Sequence, residues 1–176
     1  VKITNIKTDD AAQALKSGKV DAVAAWQPNS GAALREVPGS TAIFTSANVP
    51  GLIYDVLAVN PKSLTEHRAD WTKVVKVWFK IASFIKDEKN LDEAAKIMSA
   101  RVGLQPDAYK KLMGGTAFQD YDGNVAHYKK GDGLDSIYGS SKIVDEFNVK
   151  NTVYKAPMKF EEYLDPSVVQ EIGKTK

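Results

Sequence analysis

The chain contains no cysteine. Disulfides, zinc–thiolate centres and thiol nucleophiles are therefore excluded. The compartment stays open, because many proteins of oxidising compartments also lack cysteine. Neither sign of charge dominates: 24 Lys and Arg face 22 Asp and Glu, interspersed, for a formal charge of +2. No basic footprint for a nucleic acid follows from that balance. No stretch approaches the ~20 consecutive apolar residues that span a bilayer, since Lys or Pro interrupts the longest hydrophobic runs. Histidine is scarce. His67 and His127 each lie in polar surroundings without the Ser–Asp company of a catalytic triad, and neither a G-x-S-x-G nor a Walker-type run is present. No catalytic residue and no cofactor are expected. The chain opens on "VKITNI" without Met or a charged-then-apolar leader, so any signal peptide is absent or already removed. Opening on a β-rich run suggests that a longer chain once preceded it.

What is present is ordinary globular material: 176 residues, 43% hydrophobic and 26% charged, enough for one substantial core. "VKITNIK" reads as a strand. Asp9 and Asp10 stand at a helix start ahead of "AAQALKSG", with Gly18 as its C′ residue. "KVDAVAAW" is apolar without alternation, the pattern of a strand covered on both faces. Asn29 or Ser30 can cap "GAALREV", which Pro38–Gly39 terminates, and "TAIFTSANVPGLIYDVLAVN" reads as two strands parted by Pro50–Gly51. Alternation of strands and helices predicts an α/β front with a mainly parallel sheet. From Pro61 the period changes. Trp71, Val74, Val75, Trp78, Ile81, Ala82 and Ile85 recur at three and four, predicting a long amphipathic helix near 69–86. Helices follow at "NLDEAAKIMSARVG", with Asn90 as its cap, at "QPDAYKKLMGG", at "LDSIYGSSKIVDEFNV" and in the tail "KFEEYLDPSVVQEIGK".

Glycines in "DYDGN" and "KKGDGLD" invite two chemical readings, and both fail. In the first, Gly123 precedes Asn124 and the twelfth position is Gly131, where a calcium loop needs Glu, so no metal is expected. The second follows no apolar strand, which argues against a phosphate cradle. Lys73, Lys76 and Lys80 are most simply the solvated side of the long helix.

The run Ala14–Pro28, "ALKSGKVDAVAAWQP", resembles a motif of the solute-binding proteins of nitrate/sulfonate/taurine-type ABC importers, with Gln27 where Glu is frequent. "YDVLAVNPKSL", "GLDSIYGSSKIVDEFNV" and "YLDPSVVQEI" are similar to that family's strand between lobes and its closing helices. The resemblance implies a periplasmic-binding-protein-like (type II) α/β fold, two-lobed when complete and here lacking most of its amino-terminal half. On that expectation residues 1–58 form most of lobe two, and 59–176 form the mostly helical return portion of lobe one. The implied function is an extracytoplasmic, periplasmic receptor that binds a small polar solute between lobes and docks on a membrane permease. An enzyme of the thiamine-precursor branch and a ligand-sensing domain are the alternatives.

Trp26 sits where open α/β sheets place ligands; packing in the core and stacking on a solute both account for it. The resemblance favours stacking, with Gln27 offering its amide alongside. Asp55 interrupts "GLIYDVLAV", where an unpaired buried carboxylate would cost several kcal/mol, of order ~3 to 5. The resemblance assigns it to a ligand's amino group, and the competing reading is a hydrogen-bonded strand-end Asp. Tyr54 faces away from Asp55 in a regular strand, unless a hinge twist brings both into one pocket. Phe118 follows a glycine pair in a loop, where it could close over ligand or anchor the loop. If the chain stands alone, the apolar face formed by Trp71, Val75, Trp78, Ile81 and Ile85 needs another cover. Self-association, or retention of the chain's own amino-terminal fragment, would supply one.

Overall fold

The computed structural model describes residues 1–175. Among them are nine α-helices and no β-strand. The chain divides into two compact units, Val1–Thr45 and Ser46–Lys176.

In the first unit a 3-10 turn at Thr8–Asp10 leads into α1 (Ala11–Lys16), which packs on α2 (Asn29–Glu36). The contact is made of alanines: Ala11, Ala12 and Ala14 of α1 and Ala33 of α2 are buried. Small side chains let the two helices approach closely, and Asn29 Nδ2 adds a hydrogen bond to Asp9 Oδ1 at 3.0 Å. α1 ends as its sequence dictates. Gly18 takes φ +68°, which only glycine adopts without strain, and Lys19 N–H returns to Ala14 O at 3.1 Å. Neither Asn29 nor Ser30 caps α2; Pro28 occupies the cap position and no side chain bonds the first turn.

The second unit is built along α4 (Arg68–Lys86), the longest helix at 19 residues. α3 (Pro61–Glu66) precedes it, started by Asn60 Oδ1, which accepts from Lys62 N at 2.9 Å. α5 (Leu91–Val102), α6 (Pro106–Met113), α7 (Tyr121–His127), α8 (Ile137–Lys150) and α9 (Ser167–Gly173) follow. Two apolar clusters meet α4. Toward its middle, Phe79 packs with Val168, Val169 and Ile172 of α9, with Tyr121 set edge-on to the Phe79 ring at 5.6 Å. At its end, Ile85 packs with Ala94 and Ala95 of α5 and Met113 of α6. Arg68 Nε holds Glu171 Oε2 at 2.9 Å, which fixes where α9 docks. No helix among the described residues is long and apolar enough to cross a membrane.

The helical back was legible in the sequence, but the α/β periplasmic-binding-protein-like front is corrected by the structure. The runs 1–6, 20–25, 41–44 and 53–59 are neither helix nor strand, and their N–H groups make no backbone hydrogen bond among the described residues. The physical reason is that a strand exists only as half of a ladder. β-rich composition supplies the preference, yet none of these runs forms a ladder hydrogen bond among the described residues. Val1, Ile3, Ile43, Phe44, Ile53, Val56 and Leu57 are consequently exposed. Asn90 is also corrected: it makes no side-chain cap, and its Nδ2 donates to Phe84 O at 3.2 Å while Asp87 accepts from Lys89 N at 3.0 Å.

Candidate functional site

The first unit presents Trp26 at the end of the apolar run "VDAVAAW". The residue is 69% exposed and its indole N–H has no hydrogen-bond partner among the described residues, while its backbone carbonyl accepts Ser30 N–H at 3.0 Å at the start of α2. The Gln27–Pro28 peptide bond is cis. The Gln27 side chain folds back over Gly31, where its Oε1 lies 2.7 Å from the place a β-carbon would occupy. The Arg35 guanidinium lies over the same glycine at 3.1 Å. Gly31 thus leaves the room in which the Gln27 amide rests, and Trp26 stands clear beside it.

In the second unit the structure ties Tyr54 into a clamp. Its hydroxyl lies 2.9 Å from Leu134 O and 3.0 Å from His127 Nδ1, and the two rings meet edge-on at 5.4 Å. His127 Nδ1 is also 2.8 Å from Asp135 O. A carbonyl can only accept, so Nδ1 carries the proton, and the Tyr54 hydroxyl donates to Leu134 while accepting from the imidazole. Burial, and secondarily the Asp135 carboxylate, push the Tyr54 phenol above its ordinary pKa, so it stays protonated and keeps its donor role throughout the neutral range.

The loop that receives Tyr54 is itself tightly held. Ser136 Oγ donates to Lys129 O at 2.7 Å and accepts from Tyr138 N at 3.2 Å as the cap of α8. Gly51, at φ +82°, lies against the Leu134 carbonyl so closely that no β-carbon would fit. "KKGDGLD" is therefore a docking loop for the segment around Tyr54. The sequence gives no sign of this pairing: Tyr54 and His127 are separated by 73 positions, and single histidines carry no local pattern that names a distant partner.

Asp55 follows directly, exposed, with no hydrogen bond or ion pair among the described residues. The clamp fixes the backbone immediately before it. The result is a carboxylate displayed from an anchored position, suited to a cationic group. Phe118 sits elsewhere, half-buried against the Ile85–Met113 cluster in the loop between α6 and α7. Of the sequence-derived candidates, then, Tyr54 and Asp55 adjoin in the second unit, Phe118 packs on that unit's core, and Trp26 with Gln27 belongs to the first.

Two grooves open on the second unit. One of about 410 Å³ runs along α8 past Lys142, Glu146 and Lys150 to Pro157. The other, of about 220 Å³, lies between α3 and α4 at Ser63, His67 and Trp71, where the indole N–H donates to Ser63 Oγ at 3.1 Å. Neither is lined by Trp26, Gln27, Tyr54, Asp55 or Phe118. No cluster of His, Cys, Asp or Glu suited to a metal occurs among the described residues. The first unit thus offers an indole face and an amide, and the second, separately, a displayed carboxylate.

The NMT1-like family model matches residues 1–99, a span that contains Trp26, Gln27, Tyr54 and Asp55 and excludes Phe118. No curated protein and no solved structure matches the chain. The match agrees with the resemblance to nitrate/sulfonate/taurine-type solute-binding proteins at the level of the broad family and not of a particular member. With 99 of its 176 residues matched, the chain belongs to the NMT1-like family.

Proposed function

We propose that the protein acts as an extracytoplasmic, periplasmic receptor of an ABC importer, binding a small polar organic solute without chemical conversion. Its macromolecular partner in that reading is a membrane permease. The solute class is taurine- or sulfonate-like, or otherwise amino-bearing. The observation that carries the reading is Asp55: an unpaired carboxylate, held next to an anchored tyrosine, inside the span matched by the family. A carboxylate so placed suits an ammonium group, and the exposed indole of Trp26 suits either an apolar stem or a cation.

Isothermal titration of the full chain with taurine, with a short alkanesulfonate lacking the amine, and with simple amines tests this reading. Asp55→Asn is expected to weaken taurine by about 2–5 kcal/mol if the bound amine desolvates the pair, and to leave the amine-free sulfonate unchanged. Equal losses for both ligands would remove Asp55 from the site. Trp26 is tested by itself: Trp26→Ala is expected to weaken ligands that carry an apolar stem or a cation, and unchanged affinity for both would leave the indole outside any site. Mass spectrometry of the recovered solute separates receptor from enzyme, because a converted product would end the binding-only reading.

A further inference from the structure

The chain carries two Asp–Gly dipeptides, Asp122–Gly123 and Asp132–Gly133. A glycine has no side chain to shield its nitrogen from the carboxyl carbon of a preceding Asp. The structure separates the two. Asp122–Gly123 lies inside α7, where the helical backbone holds that carbon and nitrogen apart, and Gly123 N–H is given to Asp120 Oδ1 at 3.0 Å. Asp132–Gly133 lies outside any helix or strand, and both residues are exposed. Gly133 N–H makes no hydrogen bond among the described residues. The Asp132 carboxylate, its side chain 91% exposed, is held by Lys142 Nζ at 3.0 Å, and an exposed pair of this kind opens readily.

We propose that Asp132–Gly133 is a site of spontaneous backbone isomerisation, and that its conversion opens the Tyr54 clamp. Gly133 N attacks Cγ of the protonated Asp132 carboxyl, and the amide proton leaves with the carboxyl hydroxyl as water. The product is a cyclic imide. A water molecule then adds to the main-chain carbonyl carbon of Asp132 and breaks that carbon's bond to Gly133 N. The main chain now runs through Cβ and Cγ, one methylene longer, and the former main-chain carbonyl is a free carboxylate. One water is lost and one gained, so nothing is oxidised or reduced and the mass is unchanged. The added methylene has no room on the inner side. Gly139 of α8 packs on the Asp132–Gly133 peptide unit so closely that not even a β-carbon would fit. The loop must therefore move outward, and Leu134 follows directly. Its carbonyl accepts the Tyr54 hydroxyl at 2.9 Å and lies against Gly51, so its displacement undoes both contacts.

Prolonged incubation of the whole chain in warm, mildly acidic buffer, followed by peptide mapping with electron-transfer fragmentation, tests it. The expected result is isoaspartate at Asp132 that accumulates at least tenfold faster than at Asp122. In heavy-oxygen water each conversion should take up one heavy oxygen. Gly133→Ala crowds the attacking nitrogen, and its β-carbon meets only the carboxylate of Asp135, Oδ1 at 2.7 Å, which can turn aside. That variant should fold as the parent does and isomerise at least tenfold more slowly. The isomerised protein, separated by chromatography, should keep its helical circular dichroism and lose the nuclear Overhauser contacts between the Tyr54 and His127 rings. A chain that stays unconverted at Asp132 overturns the proposal, as does conversion at Asp122 that keeps pace with it. So does an isomerised fraction that retains the Tyr54–His127 contacts, or a Gly133→Ala chain that converts as fast as the parent.

Discussion

Asp120 shows how much a single side chain settles here. Its Oδ1 accepts Gly123 N–H at 3.0 Å, starting α7, while Oδ2 takes Lys86 Nζ at 2.7 Å. One carboxylate thus caps one helix and ties it to the end of another. The Lys86 ammonium first, and the Gly123 amide second, hold its carboxyl below the usual Asp value. A folded-state pKa depressed in this way contributes stability above the unfolded value of about 3.9 and loses it as pH falls through the folded value. Asp120→Ala should therefore cost about 1 kcal/mol near neutrality, and the gap from the parent should close toward pH 3. Urea unfolding at both pH values measures it. An equal gap at the two pH values would mean that the carboxylate's charge is irrelevant.

Among the elements, α4 bears on both cores of the second unit, and its faces divide the work. Thr72, Phe79, Ala82 and Ile85 are buried, Lys73, Lys76 and Lys80 are exposed, and Val74, Val77, Trp78 and Ile81 form a further, partly exposed apolar stripe. Phe79→Ala should cost about 3–5 kcal/mol, because deleting a buried ring loses its transfer energy and leaves a cavity. Val77→Ala, on the open stripe, should stay within about 1 kcal/mol. Denaturant midpoints for the two variants decide whether the buried face has been identified correctly. The loop before α8 provides a second test. Gly139 lies against the backbone of Asp132 and Gly133, with no room for a β-carbon. Gly139→Ala must displace that loop, and with it the Leu134 and Asp135 carbonyls that hold Tyr54 and His127. It is expected to lower the melting temperature and to abolish the nuclear Overhauser contacts between the Tyr54 and His127 rings, which meet edge-on at 5.4 Å in the parent. A change in melting temperature without that loss would show that the loop and the Tyr54 segment are independent.

At the scale of the molecule the two units differ in what they bury. The first has only alanines in its core, whereas the second buries Phe79, Ile85, Met113, Ile137, Val168, Val169 and Ile172. Burial stabilises roughly in proportion to apolar area, at about 25 cal/mol per Å², so an alanine contact offers little against the entropy of ordering its helices. Amides of α1 and α2 are expected to exchange faster than those of α4, by local opening well below the global unfolding free energy. Equal protection in the two units would show that they unfold as one.

Local chemistry by itself determined most of the helices. The three-and-four spacing from Trp71 to Ile85, the proline at the start of α6, and Gly18 and Gly103 past their helix ends each act within a turn or two of chain. It also separated Asp55 and Trp26 from their neighbours as residues out of keeping with their apolar runs. Tertiary structure decided the rest. Composition cannot tell a strand from an unpaired run, because the difference lies in another segment's backbone, and the runs expected as sheet make no backbone hydrogen bond to one among the described residues. Periodicity announced that α4 has an apolar face without saying which stripe is covered. That depends on α9, about a hundred positions away, whose Glu171 grips Arg68 and sets Val168, Val169 and Ile172 against Phe79. The Tyr54–His127 clamp is of the same kind. Helix signals are carried within a few residues, whereas pairing, docking and clamping are properties of two distant segments at once.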